Sequence, residues 1–478
     1  MPRIIITFLC LVLLLQGVKA QDANYWSSSY NPAGFLTPGA VIAFNRDSGV
    51  MFLNPALLAY SNKSTASISG SVYQYSNIKI KNGAGTGLDL KSTSASIIPQ
   101  MISATISLKG SHPFTVGYAL THNPIMSYQA TQQRDARFNV LDDSYSPGNE
   151  SFLGQYKRLN SINETSGIIS GGFKASDHFA VGISAEGQLR KQSFNSDFSS
   201  RALYNISSSS LSLPPIANAE ESYLASYLHV GIRFKAGLSY DEDRSHLGLT
   251  ISSPLLHVAG SASILSDNVV NNLRLGSDTL NLLANSRQEK LKATYKMPLS
   301  IGFGYAYDLK SGQIYFAAEY FNKVNEYNLI TPRDETFIRG DLPLDNFGSS
   351  SLKFKDVRKS ILNFGIGVSY LLQPDVTGFL SLHTDFNYAN NSLYKDDNGY
   401  TSNTAYYNIY HCQIGANLKK RKFNFRTGLL LSYGTTNKYP QYINFDNPNE
   451  SNILAGNPIN TNASHFSVGL MLSYIHNL

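Results

Sequence analysis

The stretch "FAVGISAEGQLRKQ", residues 179–192, changes character at almost every step. Phe179, Val181, Ile183, Ala185, Gly187 and Leu189 fall on one face of an extended chain, and Ser184, Glu186, Gln188 and Arg190 on the other. Successive strand side chains point to opposite faces, so this segment reads as a strand with one apolar and one polar side. The same pattern recurs at Leu224, Leu228, Val230, Ile232, Phe234, Ala236 and Leu238, opposed by Tyr227, His229, Arg233 and Lys235. Further stripes run through 299–305, 362–370, 380–388, 423–433 and 466–474.

About fourteen such strands are expected, near 64–76, 96–108, 113–122, 165–174, 178–193, 223–240 and 245–262, then 297–308, 313–327, 358–371, 376–389, 404–418, 422–436 and 464–477. The tight connections "KGSH", "ASDH", "DEDR", "LKSGQ", "LQPD" and "KKRK" alternate with long polar stretches at 123–164, 194–222, 263–296, 328–357 and 437–463. Barrels of the bacterial outer membrane have short periplasmic turns and long external loops. Aromatic residues gather beside the short turns, at Phe173, Phe179, Tyr240, Tyr305, Tyr307, Tyr370, Phe423 and Phe425, as an interfacial girdle requires. The expected fold is therefore all-β, a transmembrane antiparallel barrel over residues 63–478. A soluble sandwich would alternate similarly. Its hairpins would not segregate into short turns and long loops, and its solvent face would carry more charge.

Composition agrees. Charged residues are 15% of the chain, against 30 Tyr and 25 Phe, where soluble domains carry about 25% charge. No later apolar run reaches the roughly 18 residues of a membrane helix. Residues 1–20 read as an export signal, with Arg3, the apolar run Ile4–Leu15 and small residues at Val18 and Ala20. Removing Arg3 and Lys19 lowers the net charge from +6 to +4 with no basic block, which points to no nucleic-acid partner. Cys412 then remains alone, so no internal disulfide forms, and no metal spacing is present.

Residues 21–62 are a different kind of sequence. Gly34, Pro38, Gly39 and Gly49 interrupt them, and Asn54-Pro55 breaks the apolar run "GVMFLNPALLA". Proline cannot donate to a ladder, so this run is excluded from the sheet. A wide barrel leaves a lumen, and a segment of this size is a natural filler. The stretch "AVIAFNRDSGVMFLNPALLAYSNKSTASISGSVY" resembles the opening of the long-chain fatty acid transporter family of the outer membrane, the FadL and TodX group. That resemblance implies a monomeric fourteen-stranded barrel plugged by an N-terminal hatch, with Asp47, Phe52, Asn54, Pro55 and Ala56 matching the hatch pattern. It further implies hydrophobic solutes that enter from an external loop site and leave sideways through a gap at a kinked strand. Leu57 stands where the family often has glycine.

Several residues are candidates for substrate contact. Arg233, Lys235, Arg426 and His229 face the expected lumen and could meet a ligand carboxylate. Leu211, Leu213, Ile216, Leu329 and Ile330 supply apolar loop surface for an external site. Ser381, His383 and Asp385 have the residue types of a hydrolase, but same-face neighbours on a strand lie about 6–7 Å apart, too far for serine activation. A lumen-lining role that pairs with the hatch fits them better, together with His411, Glu186 and Glu319. The sequence thus reads as an outer-membrane channel of a Gram-negative cell, without cofactor or enzymatic activity. Its expected partners are a hydrophobic small molecule, the surrounding lipids and the barrel-insertion machinery. Relatives of this barrel also serve as shuttle or anchoring components in protein secretion, and the Tyr, Asn and Ser of the loops suit protein contact as well.

Overall fold

The computed structural model describes residues 24–26, 42–43, 50–61, 63–108, 114–205, 214–275, 278–339, 348–395, 398–402 and 406–478. The expected export signal, the "KGSH" turn, Asp47, Leu211 and Leu213 lie outside the described residues.

Fourteen strands close a ring. β1 (Thr65–Ile80), β2 (Leu90–Leu108), β3 (Phe114–Phe138), β4 (Glu150–Lys174), β5 (Phe179–Leu203), β6 (Ile216–Glu242) and β7 (Ser245–Ser252) pair in sequence, all antiparallel. Past β8 (Leu256–Leu275) and β9 (Asp278–Ala293), β7 pairs with β10 (Ser300–Leu309), and β10 with β11 (Gly312–Phe321). Past β12 (Val324–Thr331) and β13 (Phe354–Arg358), β11 pairs with β14 (Ile361–Gln373), and β14 with β15 (Val376–Asp385). Beyond β16 (Tyr400–Thr401), the ring continues through β17 (Asn408–Lys419), β18 (Phe423–Pro440) and β19 (Asn460–Asn477). The register Thr65↔Asn477 between β1 and β19 closes it.

The barrel is apolar outside and polar inside, the reverse of a soluble protein. Ile183 is 61% exposed and Leu189 41%, while Ser184, Gln188 and Arg190 are buried. Lipid accounts for the exposed stripe, since strands paired in a ring satisfy their backbone groups along the ladders and leave the outer side chains free to be hydrocarbon. The girdle residues Phe173, Phe179, Tyr305, Tyr307, Tyr370 and Phe425 are all exposed at the short-turn end. Cys412 sits between outward Tyr410 and Ile414 and is half-buried.

Three expectations about the connections need correction. The stretches 123–164 and 194–222 are largely strand: β3 and β4 pair as far as Phe138↔Glu150, and β5 and β6 as far as Leu203↔Ile216. The stretch 263–296 holds the β8–β9 hairpin. Period-two hydrophobicity stops where the lipid stops, but backbone pairing does not need it and continues above the membrane. Finally, the strand expected over 245–262 is broken at Ser253-Pro254-Leu255, where Pro254 lacks a donor and the β6 partner shows a register shift.

Candidate functional site

Three pieces of the N-terminal segment lie against the inner wall. Residues Val50–Leu53 form one helical turn and Pro55–Tyr60 a 3-10 turn, packed on β3, β4, β5 and β6. Asn54 caps that second turn: its Oδ1 accepts the Ala56 N–H at 3.1 Å, and Pro55 at the first position loses nothing by lacking a donor. Its Nδ2 donates to Ile42 O at 2.8 Å and to Leu238 O at 3.0 Å, tying segment, upstream chain and wall at one side chain. Around it, Val50, Met51, Ala56, Leu57 and Leu58 are fully buried with Met101, Ala119, Ile168 and Ala180 of the wall, and Phe52 packs partly buried beside them.

The wall is shaped for this contact. Gly172, Gly182 and Gly237 are register partners on three adjacent strands. A Cβ on Gly182 would stand 2.5 Å from Ala56 N, one on Gly172 2.6 Å from Pro55 O, and one on Gly237 2.9 Å from Pro55 Cδ. The backbone of Asn54-Pro55-Ala56 therefore rests where any side chain would be. Removing the Asn54 amide should loosen this seat. Asn54→Ala is expected to cost about 1–3 kcal/mol of local stability through its unpaired backbone partners, read as faster amide exchange in 50–61 with the barrel melting temperature unchanged.

The other two pieces dock further round. Ile42 and Ala43 pack on Ala306, Tyr315 and Ala317. Trp26 donates its backbone N–H to Asp385 Oδ1 at 3.0 Å and its indole N–H to Glu319 Oε2 at 2.8 Å, and Asn24 Nδ2 donates to Asp385 O at 2.6 Å. Tyr25 stacks between Phe321 and Tyr388, with ring centroids 4.1 Å and 4.4 Å away. Glu319 and Asp385 thus face the lumen and hold the N-terminal chain. Among the described residues Ser381 Oγ and His383 Nδ1 are buried without a hydrogen-bond partner, so the three side chains form no relay; His383 instead stacks on His411 at 4.3 Å.

The four candidate lumen groups are placed as follows. Lys235 Nζ donates to Phe52 O, holding the helical turn. Arg233 Nε donates to Ser253 O at 3.0 Å, bracing the broken strand, and His229 Nε2 lies 3.0 Å from His257 Nδ1. Arg426 is buried with Nε 3.2 Å from Asn417 Oδ1. Two guanidinium groups that the sequence did not single out bracket Tyr295 higher in the lumen. Arg190 lies 4.1 Å and Arg358 4.9 Å from its ring, beside Glu164 and Asp356 respectively. Of the external candidates, Leu329 and Ile330 are buried in an inner cluster with Phe194, Tyr223, Leu291 and Phe354, and Ile216 is exposed on the outer surface.

The wall has one long interruption among the described ladders. β2 and β3 pair from Leu108↔Phe114 only to Met101↔Thr121. Beyond that point β2 stays paired with β1 up to Leu90, and β3 with β4 up to Phe138, but not with each other. Each edge carries a proline, Pro99 on β2 and Pro124 on β3, neither able to donate across, and a bulge at Ile125 between Pro124 and Met126 bends β3. The edges meet again where Gln129 N donates to Ser92 Oγ at 2.9 Å and Gln132 Nε2 to Asp89 O at 2.6 Å. There burial opposes the Asp89 charge, but the Asn82 N–H and the Lys79 ammonium outweigh it and keep the carboxyl below its ordinary range. Eight residue steps along β3, from Thr121 to Gln129, separate the two closures, a length of roughly 26 Å. Exposed Ile102 and Leu120 flank the lower end, so the gap opens from within the lipid-facing band. Inside, it lies between two apolar clusters, the Leu57–Leu58 group that reaches Met101 and an outer group containing Tyr128, Ala130, Phe152 and Tyr156.

No protein-family model matches the sequence, and neither does any curated protein. Solved structures do. A Pseudomonas aeruginosa FadL homologue superposes with a TM-score of 0.56 at 13% identity, over 95% of this chain and 100% of that one. The Pseudomonas putida toluene transporter TodX gives 0.52 at 14% identity, over 97% and 99% of the two chains. A deletion mutant of the TodX monoaromatic hydrocarbon channel gives 0.57 at 13% identity, over 95% and 100%. At these identities the likeness is one of architecture: this chain shares the barrel fold of the FadL homologue and TodX.

Proposed function

We propose that the protein is an outer-membrane channel for passive uptake of hydrophobic or amphipathic small molecules, with long-chain fatty acids a fitting substrate. The gap between β2 and β3 carries this reading, because a wall open to lipid beside apolar inner clusters is a route for a solute that partitions into hydrocarbon. The shared fold with TodX, a toluene transporter, supports it. Exposed Ile216, together with the apolar loop residues Leu211 and Leu213 singled out from the sequence, would collect the solute, with Leu329 and Ile330 in an inner cluster. Arg233, Lys235, Arg426 and His229, together with Arg358, supply positive or hydrogen-bonding partners for an amphiphile's carboxylate on its way. Residues 21–62 act as the hatch, and ligand binding must supply the bias that moves them, since no energy source is built in. The barrel works as a monomer, inserted by the cell's barrel-assembly machinery.

Deleting residues 21–55 tests the reading. In liposomes the deleted form is expected to keep its barrel, judged by heat-modifiable mobility on gels. Its preference for apolar over polar solutes of similar size should fall by about tenfold, the factor that 1.4 kcal/mol of discrimination supplies. Unchanged preference would overturn the assignment of the hatch.

A further inference from the structure

The outward face of β5, β6, β8 and β9 changes chemistry in three successive rows. Leu189, Val230 and Ala259 are register partners at the top of the lipid-facing band. In the next row Lys191, Leu228, Ser261 and Lys292 are neighbours across the four strands. The row above is all hydroxyl, with Ser193, Ser226 and Ser263 aligned and continued by Ser161 and Ser127 on β4 and β3. On β5 alone the outward order is Leu189, Lys191, Ser193.

Lys191 and Lys292 stand three strand spacings apart, about 14 Å. Both are exposed, and neither has a carboxylate within ion-pair distance among the described residues. Lys290, Lys296 and Lys323 are exposed in the same sector. The opposite side of the barrel differs. There the outward row is Tyr410, Tyr433, Phe466 and Asn77, and the lysines above it, Lys79 and Lys91, are matched by Asp89 at 2.9 Å and 3.9 Å. On the β5–β9 flank, by contrast, Lys191 and Lys292 stand just above the lipid-facing row with no carboxylate beside them among the described residues.

We propose that this flank binds a phosphorylated glycolipid of the outer leaflet. Its acyl chains lie on the Leu189 row, its phosphates at Lys191 and Lys292, and its sugar hydroxyls on the serine row. Apolar chains below, with phosphates and sugar hydroxyls together above them, is the arrangement of such a lipid, and the paired charges match two phosphates on one headgroup. This site is separate from the solute route, which opens between β2 and β3.

The test uses the full-length protein in non-ionic detergent and native mass spectrometry, with three probes: diphosphoryl lipid A, phosphatidylglycerol, and a neutral diglucosyl lipid. The wild type should retain lipid A, and the K191Q/K292Q pair should lose it by about tenfold or more, as two headgroup-level charges imply, with K191R/K292R restoring it. The S193A/S226A/S263A form should lose lipid A but hold phosphatidylglycerol as the wild type does. Equal lipid A retention by wild type and K191Q/K292Q overturns the proposal. So does retention of the neutral glycolipid at the level of lipid A, or a wild type that prefers phosphatidylglycerol.

Discussion

Gly182→Val is expected to leave the barrel folded and to push residues 50–61 off its inner wall. The new side chain points into the lumen, where it meets the Pro55 and Ala56 backbone and no strand of the ladder. Backbone atoms cannot swing aside as a side-chain tip can, so the segment must move as a body. Overpacking of this kind costs about 1–3 kcal/mol, and ordering each residue of a short segment costs a further ~1–2 kcal/mol that burial must already offset. The seat of residues 50–61 therefore has little margin. Protease cleavage within 44–62 should accelerate by about tenfold or more, since cleavage of an opened segment follows its opening free energy. The apolar-over-polar preference of the channel should fall with it. Gly187→Val is the control, because Gly187 faces outward with only Gly167 O at 3.9 Å from its would-be Cβ. Unchanged protection in Gly182→Val would mean that the segment is seated elsewhere.

The residues that carry this prediction were partly readable in advance. Alternation at 179–192 and 224–238 identified which side chains face lipid, because hydrocarbon on one side imposes period two on any strand that crosses it. The lumen placement of Glu319 and Asp385 followed from the same parity, and their bonds to Trp26 and Asn24 show what they hold. Asn54-Pro55 was legible as a break, since proline excludes a ladder position wherever it falls. The glycine row was not. Gly172, Gly182 and Gly237 each look like a weak strand position, and only register places them side by side. The upper halves of β3 to β6 were unreadable for a related reason: above the lipid the outer face turns polar while the inner face mixes Phe, Tyr and Ala with polar side chains, so the alternation that marks a membrane strand is lost. Arg190 was assigned to the inner face, but nothing in sequence joined it to Arg358 and Tyr295, which come from distant strands. Pro99 lay inside an expected strand, but Pro124 fell in the stretch 123–164 expected as a loop, so only the structure brings the two prolines to the same gap.

Closing that gap should block transport while leaving the hatch seated. Ile125 is the extra residue of the β3 bulge, with Pro124 opposite Asn163 and Met126 opposite Ile162. Deleting Ile125 brings β3 into unbroken register with β4 without turning any neighbouring side chain to the wrong face, which a one-residue slip would otherwise do. Combining the deletion with Pro124→Val restores a backbone donor on the edge that faces β2. The straightened strand can then extend the ladder beyond Met101↔Thr121 toward the existing Gln129–Ser92 contact, and each new backbone bond adds about 0.5–1.5 kcal/mol. The expected result is a barrel at least as stable as the wild type, with uptake of a fluorescent long-chain fatty acid into liposomes reduced by about tenfold or more. Protease protection of residues 50–61 should be unaltered, which distinguishes this variant from Gly182→Val. Full uptake through the straightened wall would show that the solute leaves by another path, through the lumen and past the hatch, and the gap would then lose its role as the exit.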